Sequence, residues 1–113
     1  MTKAKSGLRI AIAGLGVVGS EVARQLMSRA DDLGMAAGQP LHLVAVSARD
    51  RSADRGFQLD NIDWHDDAVA LAGRDDFDII VEMIGGSEGP ALELARKSLA
   101  SGKHFVTANK AMI

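Results

Sequence analysis

The chain has no cysteine, only two prolines and no strong excess of either charge. Without cysteine it can form neither a disulfide framework nor a thiolate nucleophile, which fits a reducing compartment. Its formal net charge of −2 gives no sign of a nucleic-acid partner. The histidines are scattered without the spacing of metal ligands, so we expect no metal site. They are His42, His65 and His104.

Long apolar runs are also missing. The N-terminal segment MTKAKSG is short and polar, and the apolar run that follows it is LRIAIA. This run is too short for a signal-peptide core or a membrane span. We therefore expect a soluble, cytoplasmic protein with no membrane partner.

The sequence does have enough apolar residues for one core, since 47% of its 113 residues are hydrophobic. This length is typical of a single domain. Near its end, the segment VTANKAMI runs from a strand end into what reads as the first turn of an apolar helix. We therefore expect residues 1–113 to be the first domain of a longer protein, with the sheet truncated before its final strands.

The most informative segment is LRIAIAGLGVVGS, in which an apolar run breaks into Gly14, Gly16 and Gly19 with the spacing G-x-G-x-x-G. A helical pattern follows at once, and this order of strand, glycine turn and helix is typical of a dinucleotide site. We expect Gly14 to allow a sharp turn, Gly16 to let a pyrophosphate approach the main chain, and Gly19 to pack the helix on the strand. The free N–H groups at the helix N-terminus would then bind the phosphates. A glycine turn that only packs is the alternative.

Apolar runs and helical patterns alternate along the chain, which predicts an α/β fold with a Rossmann-type parallel sheet and flanking helices. Strands are expected at residues 8–13, 41–47, 78–84 and 104–107. Helices are expected at 17–30, at 68–72 with Asp66 or Asp67 as its cap, and from Pro90 to a stop at Gly102. Residues 31–40 contain two glycines and a proline and are predicted to form a loop. No regular structure is predicted for residues 48–61.

Periodicity also predicts which residues face the core. In the first helix these are Val18, Val22, Leu26 and Ala30, and in the last helix Leu92, Ala95 and Leu99. Ile62 and Trp64 are expected to form a small apolar anchor.

The end of the second strand should show which dinucleotide is bound. An NAD site usually has Asp or Glu there for the ribose 2′-hydroxyl, whereas this strand runs into the sequence SARDR. A guanidinium can bind a 2′-phosphate through paired hydrogen bonds, so we favour NADP(H), with Arg49 as the main contact and Arg51 as a second. A solvated loop in which the arginines pair with Asp50 and Asp54 is the alternative. Asp50 could also bind a ribose hydroxyl, which leaves NAD(H) possible.

Two further segments follow strands at the carboxyl edge of the sheet, where ligands bind in such folds. In the loop 84–89, Ile84 and Gly85 are candidates for contact with the nicotinamide ribose, and a flexible turn is the alternative. Glu82 ends an apolar run and needs hydrogen-bond partners there, so we expect it to brace a loop rather than abstract a proton. Lys110 could contact the nicotinamide, its ribose or the substrate oxygen, and a surface lysine is the alternative.

Three segments together resemble the N-terminal domain of homoserine dehydrogenases. They are IAIAGLGVVGSEVARQL, VSARDRSADRG and VEMIGGSEGPALELARKSLASGKHFVTANKAMI. The combination of E-x-I-G-G, a helix and V-T-A-N-K is much more specific than the glycine motif alone. The resemblance implies hydride transfer between NAD(P) and the pair L-homoserine and L-aspartate 4-semialdehyde, a step of threonine, methionine and isoleucine biosynthesis.

The resemblance also implies roles for single residues. It places Arg49 at the adenosine 2′-phosphate, Gly85 on the nicotinamide side and Lys110 at the junction of cofactor and substrate, where its ammonium would suit an alkoxide. The turn after the first strand would lie against the dinucleotide through Leu15, Gly16, Val17 and Val18. In this family the substrate and dimerisation domain follows, so we expect the isolated chain to be inactive and the full-length enzyme to be a homo-oligomer.

Two alternatives stay open. One is a nucleotide-binding module without chemistry, such as an NAD(P)-sensing regulatory domain. The segment VTANK argues against it, because a sensor has no need of a lysine beside the nicotinamide. The other is a different amino-acid- or semialdehyde-linked dehydrogenase with the same fold.

Overall fold

The computed structural model describes residues 7–48, 62–84 and 90–107. In these residues helices lie between most of the consecutive strands, and the strands form one parallel sheet in the order β3-β2-β1-β4-β5. This confirms the predicted Rossmann-type sheet. The elements are β1 (Leu8–Ala13), α1 (Val17–Ser28), α2 (Ala30–Ala37), β2 (Leu41–Ser47), β3 (Asp63–His65), α3 (Ala68–Leu71), β4 (Ile79–Glu82), α4 (Pro90–Ala100) and β5 (His104–Thr107). The parallel strands begin at one edge of the sheet, which we call the amino edge. They end at the opposite edge, which we call the carboxyl edge.

The central strand β1 is apolar because both of its faces are covered. Ile10 and Ile12 pack with residues of α1 in one buried cluster. Ala11 and Ala13 pack with residues of α3 and α4 in a second buried cluster on the other face. The strand is buried from Ile10 to Ala13, which explains why these four residues are all apolar, whereas Arg9 near its start is only half-buried.

The pairing of β2 with β1 has an irregularity at Val44. Ile10 pairs with Leu43 but the next residue, Ala11, pairs with Ala45, so Val44 is an extra residue in β2. Leu43 packs on the α1 side, whereas Val44 and Ala45 pack on the side of α3 and α4. The bulge therefore keeps the apolar side chains of β2 in phase with those of β1 on both halves of the strand.

The prediction of a loop over residues 31–40 was wrong, because most of this segment forms α2. The helix tolerates Gly34 in its interior, at a typical cost of about 1 kcal/mol, since alanine, leucine and methionine around it favour helix. Asp31 and Asp32 lie in its first turn, where a negative charge is favourable. Gly38 adopts a left-handed conformation with φ +82° and ends the helix. The first helix accordingly ends before the predicted Ala30.

The predicted core faces of two helices were also partly wrong. Val18 and Leu99 were expected to face the core, but their relative exposures are 60% and 62%. In α1 the buried residues are Gly19 and Ala23, and in α4 they are Ala91, Leu94, Ala95 and Ser98. Small residues allow the closest approach of a helix to the sheet, and they therefore decide which face is buried, whereas the periodicity rule gives weight to large apolar residues.

The sequence did not predict β3, which has only three residues and begins with an exposed Asp63. Trp64 at its centre and the preceding Ile62 pack against the α1-side cluster, as predicted for an apolar anchor. Asp67 caps α3, since its carboxylate accepts a hydrogen bond of 2.9 Å from the N–H of Val69. Of the two predicted caps, Asp67 is therefore the correct one.

Charged side chains bind each other at the amino edge. The Arg9 guanidinium donates hydrogen bonds of 3.2 and 3.1 Å to Asp78, and the backbone N–H of Arg9 adds a third of 2.8 Å. These bonds from Arg9 lower the pKa of Asp78 below its usual value. Arg74 binds Asp76 and Asp63 at 2.5 and 2.9 Å, and its hydrogen bond lowers the pKa of Asp76.

Candidate functional site

The turn after β1 begins with Gly14 in a left-handed conformation. Its φ is +98°, which residues with a side chain rarely adopt. The N–H of Gly14 donates a 3.0 Å hydrogen bond to the carbonyl of Ser47, the last residue of β2. A side chain at Gly14 would also meet the main chain of Met83 at 3.0 Å. The structure thus confirms the predicted sharp turn and shows that neighbouring strand ends surround it.

Gly19 holds α1 against this turn. A Cβ added at Gly19 would lie 2.0 Å from the carbonyl oxygen of Gly14, which is a distance that real contacts do not reach. The absence of a side chain therefore lets the first turn of α1 sit directly on the end of β1. This confirms the packing role predicted for the third glycine.

Gly16 lies in a different environment, because a Cβ added there would meet no atom of the described residues within 4 Å, apart from its chain neighbours and its own helix. It is the N-cap of α1, its backbone is extended, and no side chain caps the helix at this position. The first hydrogen bond of the helix runs from the N–H of Ser20 to the carbonyl of Gly16 at 2.9 Å. The N–H groups of the three residues between them therefore have no acceptor within the helix.

The start of α1 is also open at its side chains. Val17 is 91% exposed and Val18 is 60% exposed, although both are apolar. The hydroxyl of Ser20 donates a 2.9 Å hydrogen bond to the carbonyl of Leu15, which fixes the turn from the side. The side chain of Leu15 is buried in the α1-side cluster. Within the part of the chain that the structure describes, these residues leave N–H groups without a helical acceptor and the positive end of a helix dipole beside an open position, which suits a phosphate group.

The ends of neighbouring strands meet beside this turn. The N–H of Met83 donates a 2.8 Å hydrogen bond to the carbonyl of Ala13, so the chain leaving β4 lies against the end of β1. Ile84, which the sequence predicts to contact the cofactor, follows Met83 and is half-buried against the apolar cluster on the side of α3 and α4. Because β2 and β4 lie on opposite sides of β1, the strand order reverses here. Ligands of open α/β sheets bind at such a point.

Glu82 is fully buried at the end of β4. One of its carboxylate oxygens accepts a 2.5 Å hydrogen bond from the N–H of Ile84, and the other accepts a 2.5 Å hydrogen bond from the hydroxyl of Thr107. Glu82 and Thr107 are also partners in the pairing of β4 with β5. The structure confirms the expectation that Glu82 finds hydrogen-bond partners there. The pairing with Thr107 was not foreseen, although both residues end neighbouring strands.

Four predicted site residues lie outside the described residues. They are Arg49, Arg51, Gly85 and Lys110. Two of the described ranges end just before these residues, at Ala48 and at Thr107. The N–H of Ala48 donates a 3.2 Å hydrogen bond to the carbonyl of His65. The roles predicted for these four residues therefore stay predictions.

Residues 7–48, 62–84 and 90–107 contain neither a candidate metal cluster nor a helix that could span a membrane. No group of three or more histidine and carboxylate side chains there could hold a metal ion. None of the helices in these ranges has the length and apolar character needed to cross a membrane.

Sequence comparison extends the resemblance. Residues 14–113 match the family described as homoserine dehydrogenase, NAD binding domain. The homoserine dehydrogenase of Mycobacterium tuberculosis is 40% identical over 104 residues, which are 92% of this chain and 23% of that enzyme. The enzyme of Corynebacterium glutamicum is 40% identical over 108 residues, with 96% and 24% covered. The chain thus spans about a quarter of the length of these relatives.

Solved structures give the same result for the fold. The crystal structure of a homoserine dehydrogenase from Thiobacillus denitrificans superimposes with a TM-score of 0.80 and 30% identity, covering 93% of this chain and 24% of that one. A homoserine dehydrogenase structure from S. aureus superimposes with a TM-score of 0.79 and 31% identity, covering 92% and 26%.

Proposed function

The chain belongs to the family of homoserine dehydrogenase NAD-binding domains, and we propose that residues 1–113 hold the nicotinamide dinucleotide in an enzyme that interconverts L-homoserine and L-aspartate 4-semialdehyde. The observation that carries this proposal is the open start of α1 at Gly16. N–H groups without a helical acceptor and a helix N-terminus without a side-chain cap lie there beside space that none of the described residues fills. A diphosphate matches this arrangement in charge and in hydrogen bonding.

Each described residue of the site has a separate task in this proposal. Gly14 turns the chain, Gly19 sets α1 close to β1, and Gly16 lets the diphosphate approach the main chain. Val17 and Val18 contribute their N–H groups and cover the ligand from outside, whereas buried Leu15 contributes its main chain. When bound, the dinucleotide supplies or accepts the hydride.

The assignment is tested by Gly16→Ala. Among the described residues an added Cβ meets no atom within 4 Å outside its chain neighbours and its own helix, so the fold should persist with a loss of about 1 kcal/mol or less for the weaker helix cap. The same methyl group would occupy the space through which the diphosphate approaches. We expect the Kd for NADPH and for NADH to rise about tenfold or more in fluorescence titration. An unchanged Kd for both would contradict the proposal.

We further propose that NADP(H) is preferred and that Arg49 and Arg51 read the 2′-phosphate. Support comes from the end of β2, where the described residues Ser47 and Ala48 carry no carboxylate for a ribose 2′-hydroxyl. Arg49→Ala should raise the Kd for NADPH about tenfold or more and leave the Kd for NADH unchanged. Arg51→Ala should have the same direction and a smaller size. Equal affinities for both cofactors in the wild type, unaltered by Arg49→Ala, would refute the preference.

For the reaction itself we propose Lys110 as the residue at the cofactor–substrate junction, where its ammonium would stabilise the substrate alkoxide. The support is the V-T-A-N-K sequence. In the full-length enzyme, Lys110→Met should lower kcat at least about a hundredfold, beyond any change in cofactor Kd. The isolated 113 residues should turn over no homoserine above a blank. Cytoplasmic location, the pathway and a homo-oligomeric full-length enzyme stay predictions from the sequence.

A further inference from the structure

The buried carboxylate of Glu82 connects two strand ends rather than filling space. Its side chain has no solvent exposure, and the neighbouring residues Ile80 and Phe105 belong to, or pack against, the apolar cluster beneath α3 and α4. A carboxylate in such surroundings is costly unless its oxygens accept hydrogen bonds. Both oxygens do so, one from the main chain after β4 and one from the last residue of β5.

Each of these two bonds fixes a different element. The N–H of Ile84 lies two residues after Glu82, so this hydrogen bond curls the chain back as it leaves β4. The hydroxyl of Thr107 comes from the neighbouring strand, so this second bond sets the distance between the ends of β4 and β5. An apolar side chain of the same size could fill the site but could make neither bond.

Both elements lead to segments that the proposed function assigns to the nicotinamide half of the cofactor. In the sequence, Gly85 directly follows Ile84, and Lys110 comes shortly after Thr107. The phosphates, in contrast, are assigned to the start of α1, which follows a different strand, β1. A change at Glu82 should therefore alter the grip on the nicotinamide half and leave the adenosine half unaffected.

We propose that Glu82 is a positioning residue, which holds the main chain of Ile84 and the hydroxyl of Thr107 so that the ends of β4 and β5 receive the nicotinamide half of the dinucleotide. This inference rests on the proposed function. It adds to that function a named residue that does not itself contact the reacting atoms.

The test compares each dinucleotide with a counterpart that lacks nicotinamide. Kd values are measured by calorimetry for NADPH against 2′-phospho-ADP-ribose and for NADH against ADP-ribose, with the 113-residue chain. The ratio is the Kd of the counterpart without nicotinamide divided by the Kd of the dinucleotide, and it isolates the contribution of the nicotinamide half. Loss of stability alone lowers the melting temperature but does not change this ratio, because both ligands of a pair bind the same folded chain.

Thr107→Val removes the hydroxyl and keeps the shape of the side chain, so it is the main variant. We expect the ratio to fall about tenfold, which corresponds to about 1.4 kcal/mol, while the Kd of ADP-ribose stays constant. Thr107→Ser keeps the hydroxyl and should restore the ratio. Glu82→Gln offers one acceptor oxygen to the two described donors, the N–H of Ile84 and the hydroxyl of Thr107. It should lower the ratio in the same direction, which provides a second reading if Thr107→Val folds poorly.

Ser98→Ala is the matched control. Ser98 is equally buried, on α4, and within the described residues its hydroxyl has no hydrogen-bond partner. This variant should leave the ratio unchanged. If the wild type binds NADPH and 2′-phospho-ADP-ribose but Thr107→Val and Glu82→Gln also leave the ratio unchanged, the role of Glu82 alone would be overturned. A wild-type chain that binds none of the four ligands would overturn the proposed function and this inference together.

Discussion

At the amino edge of the sheet, charged side chains bind one another, whereas at the carboxyl edge beside β1 the main chain is left open. Arg9 and Asp78 satisfy each other with three hydrogen bonds, and Arg74 does the same with its two carboxylates. At the other edge, a Cβ added at Gly16 would meet no described atom within 4 Å beyond its chain neighbours and its own helix, and no side chain caps the helix that it starts. The described charged groups of the amino edge bind one another, whereas the carboxyl edge offers backbone N–H donors to a ligand. The comparison teaches that charged side chains hold the amino edge together, whereas glycines shape the carboxyl edge for both packing and binding.

The largest effect should come from Gly19, where the open edge depends on close packing. Gly19→Ala places a methyl group 2.0 Å from the carbonyl oxygen of Gly14, so α1 must move away from β1. We expect a loss of about 3 kcal/mol in the free energy of unfolding, measured with urea, and loss of cofactor binding. Gly34→Ala is the matched control, since an added Cβ in α2 meets its nearest atom at 3.4 Å and should be tolerated. Equal stability of both variants would mean that the contact between Gly19 and Gly14 is not tight.

The next effect separates charge from size at the open edge. Gly16→Asp and Gly16→Asn introduce side chains of the same shape, and both residues are good N-caps. We expect similar melting temperatures, but a Kd for NADPH about tenfold higher in Gly16→Asp than in Gly16→Asn, because the carboxylate repels the diphosphate. If the two variants bind NADPH equally, the start of α1 is not where the phosphates lie.

A smaller effect is expected at the amino edge. Asp78→Asn removes the charge that binds Arg9 in a partly exposed pair, so the free energy of unfolding should fall by about 1 kcal/mol. The Kd for NADPH should not change, because the site lies at the opposite edge. Glu21→Gln, in an exposed pair with Arg24 on α1, is the control and should leave the urea midpoint unchanged. A weaker affinity for NADPH in Asp78→Asn would show that the two edges are coupled.

The smallest effect concerns pH. Arginine partners hold the pKa of Asp76 and Asp78 below the unfolded values, so both carboxylates contribute stability that is fully present above the unfolded pKa. The urea midpoint should therefore be nearly constant from pH 7 to 5 and decline below about pH 4, as the carboxylates become protonated. Asp78→Asn should show a shallower decline. An identical decline in the variant would exclude Asp78 as a source.

Much of the carboxyl edge could be predicted from sequence, because its features are local. The glycine spacing predicted the turn, and apolar runs predicted β1 and β2 with their bounds. Two predictions failed, one because local preferences compete and one because the outcome depends on a tertiary contact. Residues 31–40 contain turn-forming residues, yet helix formers on both sides of Gly34 decided the outcome. The buried face of α1 depends on the contact between Gly19 and Gly14, which no periodicity reveals.

The hydrogen bonds of Glu82 show a second limit. Sequence alone indicated that a carboxylate at the end of an apolar strand needs partners, but not which ones. Thr107 is distant in the sequence and meets Glu82 only through the parallel register of β4 and β5. The strand assignments held the necessary information, since both residues are the last of their strands. Long-range pairs of this kind become predictable once strand order is known.

The extra residue in β2 has a consequence for how this strand tolerates insertions and deletions. If Val44 were deleted, Leu43 and Ala45 would become consecutive and would still pair with Ile10 and Ala11. Both halves of the strand would keep their side chains on the same faces. A deletion in another part of β2 would shift the register by one residue, so the side chains that follow would point to the opposite face of the sheet. When this chain is aligned with relatives of different length, a one-residue gap in the strand therefore belongs at Val44.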